Sequence, residues 1–173
     1  MIFSRTLQLL AAVGLACLLP SCAGYHMGAD KPAKMAHVTT LAIPVFKNLT
    51  LEPRSSVIVT NNLIKQFQLD PTYKIVATKD ADAVLKGTIQ KFERRQLRGV
   101  RTNVLKSREL EIKIWIDYVV EDAKTGAKLL KGNAQGDTSV YLDPNFQLTE
   151  RQAIDEASRK ASEDIFSRVA EGW

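Results

Sequence analysis

The chain has 173 residues, with 24 lysines and arginines against 19 aspartates and glutamates, and a formal net charge of +5. That balance is too small to announce nucleic-acid binding by itself. No internal repeat or low-complexity tract argues for a solenoid or a disordered chain.

The first six residues carry Arg5 and no acid, and Leu9 to Leu19 form an apolar run that Pro20 stops. Such a run is shorter than the roughly 20 residues needed to cross a bilayer as a helix, so it reads as a signal peptide over 1–21. Leu19-Pro20-Ser21-Cys22 has the form of a bacterial lipobox, which makes Cys22 the expected lipidation site. Cys17 is a poorer rival because Gly14 stands where an aliphatic residue belongs. Cleavage before Cys22 leaves no free cysteine for a disulfide, a metal cage or a thiol nucleophile. The remaining 152 residues suit one domain. Residues 22–36 have the composition of a tether, with Gly24, Gly28 and Pro32 and few large apolar side chains, and 37–173 form the domain.

Within 37–173, Val38 to Phe46 reads as a strand with Leu41, Ile43 and Val45 on one face, and Pro44 demands an edge or a bulge. Lys47 to Pro53 reads as a loop, and Val57, Ile58, Leu63, Ile64 and Phe67 recur at helical spacing up to Asp70-Pro71. Tyr73 to Val76 and Val84 to about Arg95 follow as strands. The clearest strand is Glu109 to Glu121, where Leu110, Ile112, Ile114, Ile116, Tyr118 and Val120 alternate with polar positions. Turn residues Asp122 to Gly126 lead to a hairpin partner, Ala127 to Val140, which Gly132 and Gly136 mark as an edge or bulged strand. Thr149-Glu150-Arg151-Gln152 fits a capping box ahead of a last helix with an alanine stripe at 153, 157 and 161. The order predicts an α+β two-layer sandwich, two helices packed on one face of a mixed, mostly antiparallel sheet of about four to five strands.

Several segments together resemble the LPS-assembly lipoprotein LptE family: Cys22-Ala23-Gly24-Tyr25-His26; Ile43-Pro44-Val45-Phe46-Lys47-Asn48 with Thr50, Glu52 and Pro53; Thr60 and Phe67; Ala81-Asp82-Ala83-Val84-Leu85 with Gly87-Thr88-Ile89; and Leu148 to Ala153. The resemblance implies an anchor in the inner leaflet of the outer membrane, a place as plug and assembly partner inside the LptD β-barrel, and binding of LPS on its way to the cell surface. Ala23 departs from the glycine that many members carry directly after the cysteine.

Lys91, Arg94, Arg95, Arg98, Arg101, Lys106 and Arg108 crowd one stretch of sequence in which Glu93 is the only acid. Arginine forks hold phosphate oxygens in charge-assisted pairs, so this stretch is the candidate for LPS contact. A barrel-wall contact and a solvated hairpin tip are the alternatives. Trp115 stands on the polar face of the best strand, as a partner anchor or under the tether, and Tyr141 and Phe146 bracket a loop that serves the same barrel contact or closes the core.

Catalysis finds little support. His26 and His37 have no second ligand at metal spacing, Ser55-Ser56 lack a nucleophile-elbow setting, and no Gly-rich phosphate loop follows a strand. Glu109 and Glu111 share a wet strand face, as any amphipathic strand requires. The expectation is a non-enzymatic outer-membrane lipoprotein on the periplasmic side, with no cofactor and no metal, partnered by LPS and an LptD-type barrel and not by nucleic acid. The alternatives are a lipid-anchored periplasmic scaffolding module unrelated to LPS export and a small periplasmic hydrolase.

Overall fold

The computed structural model describes residues 31–97, 109–141 and 146–172. Six strands, β1 (Thr40–Ala42), β2 (Lys47–Asn48), β3 (Lys74–Ile75), β4 (Ala83–Leu97), β5 (Glu109–Asp122) and β6 (Lys128–Tyr141), form one sheet in the order β3-β1-β4-β5-β6, with β2 pairing β4. β1, β2 and β3 join in parallel, whereas β4, β5 and β6 run antiparallel. Helices α1 (Ser55–Leu69) and α2 (Phe146–Ala170) cover one face, giving the expected two-layer sandwich.

The alternation in β5 decides which face is covered. Leu110, Ile112, Ile114, Ile116, Tyr118 and Val120 are all buried beneath the helices, each fully buried aliphatic side chain contributing about 1.5–3 kcal/mol. Against them α2 lays Ala153, Ala157, Ala161, Ile165 and Val169. The small alanines permit a close approach, and Gly136 on β6 takes it further. A Cβ there would lie 1.9 Å from the Ala157 carbonyl oxygen and 2.6 Å from the Ala161 nitrogen. Gly136 is thus a contact that places α2, as well as a weak residue on an edge strand.

Four readings of the sequence change. The expected first strand divides, because Pro44 has no amide to donate: β1 ends at Ala42, Val45 turns outward at 66 % exposure, and Phe46 swings in so that its ring fills the space above Gly87. Two residues of the expected loop, Lys47 and Asn48, instead form β2. In α1 the buried side is Val59, Leu63 and Phe67, with Ile58 and Ile64 half-buried and Val57 exposed. The last helix begins at Phe146, so Thr149 lies inside its first turns rather than capping it, which carries Glu150 to within 2.6 Å of Arg94. Toward the N-terminus, Met35 is fully buried although it falls in the stretch that reads as tether.

The helices meet along Ser158 and Ser162, both buried. Ser162 Oγ donates to the Val59 and Ser158 carbonyls (3.2 and 2.8 Å), but Ser158 Oγ has no partner among the described residues. A buried hydroxyl without a partner opposes folding, and alanine is the better helix former. Ser158→Ala should therefore raise stability by about 1 kcal/mol, read as a higher urea midpoint; a lower midpoint would show that the hydroxyl is bonded.

Asp82 closes the opposite side of the sheet. Its Oδ2 accepts from the Thr39 amide (3.1 Å), the Thr39 hydroxyl (2.8 Å) and the Thr40 amide (3.0 Å), while Ala123 N donates to its carbonyl. These donors hold the carboxyl far below its ordinary value of 3.8. Asp122, which accepts from Thr125 and Lys124 in the β5–β6 turn, is lowered to about 2. A depressed folded pKa means stabilisation that is complete above the unfolded value and disappears as pH falls through the folded one. Melting temperature should decline from about pH 4 downward, and Asp82→Ala should flatten that decline while lowering the melting temperature by a few degrees at neutral pH. A variant whose acid limb overlays the parent's would refute this role.

Candidate functional site: the open end of the hairpin sheet

β4, β5 and β6 extend past the short strands, so their far ends form a three-stranded ribbon beside the start of α2. A bulge between Ile89 and Lys91 decides what this ribbon presents. Before it, Leu85 and Ile89 face the helices; after it, the phase shifts, Lys91 pairs with Trp115, and Phe92 and Arg94 face the helix layer opposite Ile114 and Ile112. One added residue therefore turns Arg94 toward the helices and leaves Lys91 and Arg95 on the outer face, the reverse of what unbroken alternation from Ile89 would give.

Arg94 goes to the helix side. Its Nε donates to Glu150 Oε1 at 2.6 Å, its terminal nitrogen meets Glu52 Oε2, and its guanidinium lies 4.7 Å from the Phe92 ring centroid. The two carboxylates hold its pKa above the ordinary value, against the opposing effect of burial. Glu52 belongs to the loop before α1 and Glu150 to the start of α2, so one guanidinium ties β4 to both helix entries. Asn48 organises the same loop, accepting from the Thr50 amide and hydroxyl and donating Nδ2 to the Glu52 carbonyl at 2.7 Å.

Lys91 and Arg95 lie on the outer face. Lys91 pairs with Glu93, and its ammonium stands 4.9 Å from the centroid of the Trp115 ring. Arg95 is exposed directly across from Glu111, whose carboxylate is 3.1 Å from Lys113. In space the run's described residues pair with Glu52, Glu93 and Glu150, and Arg95 lies across from Glu111; all of these acids but Glu93 come from outside the run. Arg98, Arg101, Lys106 and Arg108 fall outside the described residues, as do Cys22 and the Phe146 side chain.

Trp115 and Tyr141 share the outer face but not one spot. Tyr141 is paired with Glu109, six residues along β5 from Trp115 or about 20 Å, and is 70 % exposed. Elsewhere on this face Lys86–Glu121 and Gln90–Asp117 are matched across the strands. The outer face is thus a largely neutralised polar surface with two separated aromatics. Among the described residues, no group of three or more His, Cys, Asp and Glu is placed to hold a metal.

A family model described as LptE, lipopolysaccharide-assembly, matches residues 38–169. The chain belongs to the LptE family. The match spans every strand and both helices, so the family signal and the folded domain coincide. A comparison with curated proteins found no match. Among solved structures, this LptE-family chain is similar to a neuraminyllactose-binding hemagglutinin homolog from Helicobacter pylori (TM-score 0.54, 12% identity, 86% of this chain and 90% of that one). It is also similar to a minor lipoprotein from Acinetobacter baumannii (TM-score 0.51, 10% identity, 76% and 90%). At such identities the likeness is one of fold.

The LptE-like segments have structural work in this chain. Phe46 packs over Gly87 and donates its amide to Thr60 Oγ1 at 3.0 Å, Asn48 shapes the loop to Glu52, and Asp82 closes β1 onto β4. The sequence reading found these segments but not the Glu52–Arg94–Glu150 contact. Its only trace was an arginine at a position that a bulge turns inward.

Proposed function

We propose that this protein is an outer-membrane lipoprotein of LPS assembly, anchored through Cys22 on the periplasmic side. It fills and helps assemble an LptD-type β-barrel and binds LPS during delivery to the cell surface. The match of the family model over the whole folded domain carries this reading. The outer sheet face, with Trp115 and Tyr141, is the surface offered to the barrel wall, and its matched charges suit close contact because few are left to be desolvated alone. Arg95, together with Arg98, Arg101, Lys106 and Arg108, is offered to LPS phosphates; Arg94 serves the fold. No catalytic group is required.

Two experiments test the reading. Detergent-solubilised outer membranes should yield the lipoprotein together with a large barrel protein; recovery without one favours the unrelated scaffolding module. Separately, Arg95→Ala combined with Arg98→Ala should weaken LPS binding to the soluble domain by about 10-fold at low salt and make it less salt-sensitive, since two phosphate-directed charges are lost. Equal affinities at low and high salt would remove this end of the sheet from the LPS site.

A further inference from the structure

A cleft of about 400 Å³ opens between the starts of α1 and α2, on the helix side of the sheet and away from the outer face. It is lined by the paired Glu52, Arg94 and Glu150, by the apolar Ile58 and Ile154, and by Arg54, Gln147 and Arg151. Six arginine side chains are described. Arg94, Arg159 and Arg168 are held in ion pairs, whereas Arg54, Arg95 and Arg151 have none among the described residues, and two of these three line this one cleft. Arg94 is paired with both acids present, and the lining as a whole has three arginines against two glutamates, so one positive charge is left in excess. Arg54 is also the residue at which α1 starts, without a side-chain cap and without an acid in its first turn, which favours an anion on that side.

We propose that this cleft is a phosphate-ester site in which the guanidinium groups of Arg54 and Arg151 grip the anion from two sides. A phosphate presents enough oxygens for two arginine forks at once, whereas a single carboxylate is used up by one bidentate pair. The volume exceeds that of a bare ion many times over, given about 30 Å³ for a water in the liquid. The ligand is therefore a phosphate carried on a larger body, with a polar side toward the Glu52 and Glu150 carboxylates and an apolar side toward Ile58 and Ile154. A phosphorylated sugar has this chemistry, whether free or as the headgroup of a lipid. The lipid source rests on the reading that the domain handles LPS; the site itself does not. Arg94 acts here as a positioning residue, holding both carboxylates away from the arginine pair.

The test uses the folded soluble domain and two probes, glucosamine 1-phosphate and LPS, titrated against the parent, the Arg54→Gln/Arg151→Gln double variant and an Arg159→Gln control. Arg54 and Arg151 are exposed, so the double variant should melt with the parent, which a thermal scan checks. At least one probe should bind the parent and shift the amide resonances of the first turns of α1 and α2. Its affinity should fall at least 10-fold in the double variant and stay unchanged in Arg159→Gln. Binding of the sugar phosphate assigns a soluble source, and binding of LPS alone a lipid one. The proposal is overturned if neither probe binds the parent, if the double variant binds as well as the parent, or if these resonances respond only to an added barrel protein. Failure to recover a barrel from membranes would remove the functional reading above and leave this result standing.

Discussion

Gly136→Ala should destabilise the domain by about 3 kcal/mol, a large cost for adding one methyl group. Overpacking a well-filled core usually costs about 1–3 kcal/mol because side chains can shift. Here the obstacle is main chain, the Ala157 carbonyl and the Ala161 amide in the middle of α2. The helix has to move off the sheet, taking its contacts with β5 and β6 along with it. At a domain of this size the loss amounts to a fall in melting temperature of roughly 10 °C. The matched control is Gly126→Ala, where the turn is strained by a positive φ but nothing lies within 4 Å of the added carbon; it should cost about 1 kcal/mol. Similar urea midpoints for the two variants would mean that α2 does not rest on β6 at Gly136.

Arg94→Ala should cost about 2 kcal/mol and complicate any binding measurement made with it. An exposed ion pair contributes less than about 1 kcal/mol, and breaking a buried one costs about 3–5 kcal/mol because the partner is left uncompensated. Arg94 falls between the two: it is half-exposed, but Glu52 and Glu150 are only 14% and 22% exposed, and both would lose their cation. Arg94→Lys should recover only part of the loss, since an ammonium cannot stack on Phe92 as the planar guanidinium does while serving both carboxylates. Urea denaturation of the two variants beside Glu52→Gln/Glu150→Gln provides the measurement. If Arg94→Ala unfolds at the parent's midpoint, the contact is superficial and Arg94 returns to the pool of free cations. If it unfolds early, reduced LPS binding by that variant says nothing about phosphate contact, and Arg95 is the position to examine.

These two residues show what the sequence revealed and what it withheld. The architecture was legible because β5 alternates without a break over six buried positions and because the alanines at 153, 157 and 161 lie on one helical face. Local periodicity carries such information. Gly136 was legible only as a weak strand residue; its close approach to α2 joins positions more than twenty residues apart, which no periodicity records. The acids beside the basic run were hidden for a related reason. Counting charges along the chain finds Glu93 alone, but folding brings Glu52, Glu111 and Glu150 beside the same arginines and lysines, and the bulge at Gln90 decides that Arg94, and not Arg95, faces the helices. Pro44 likewise signalled an interruption, yet not that Phe46 would return to cover Gly87.

The placement of α2 also sets a length scale. Tyr73, beneath Lys31, donates its hydroxyl to the Val169 carbonyl at one extremity of that helix, and Arg94 binds Glu150 near the other. Nineteen residue steps from Glu150 to Val169, at 1.5 Å each, separate these two contacts by about 28 Å. Nine residue steps lead from Cys22 to Lys31, a span of at most about 32 Å. On the anchoring proposed for Cys22, that span limits how far the Glu150 end of the domain can stand from the lipid, so insertions between Cys22 and Lys31 should extend the limit without changing the contacts of residues 31–172.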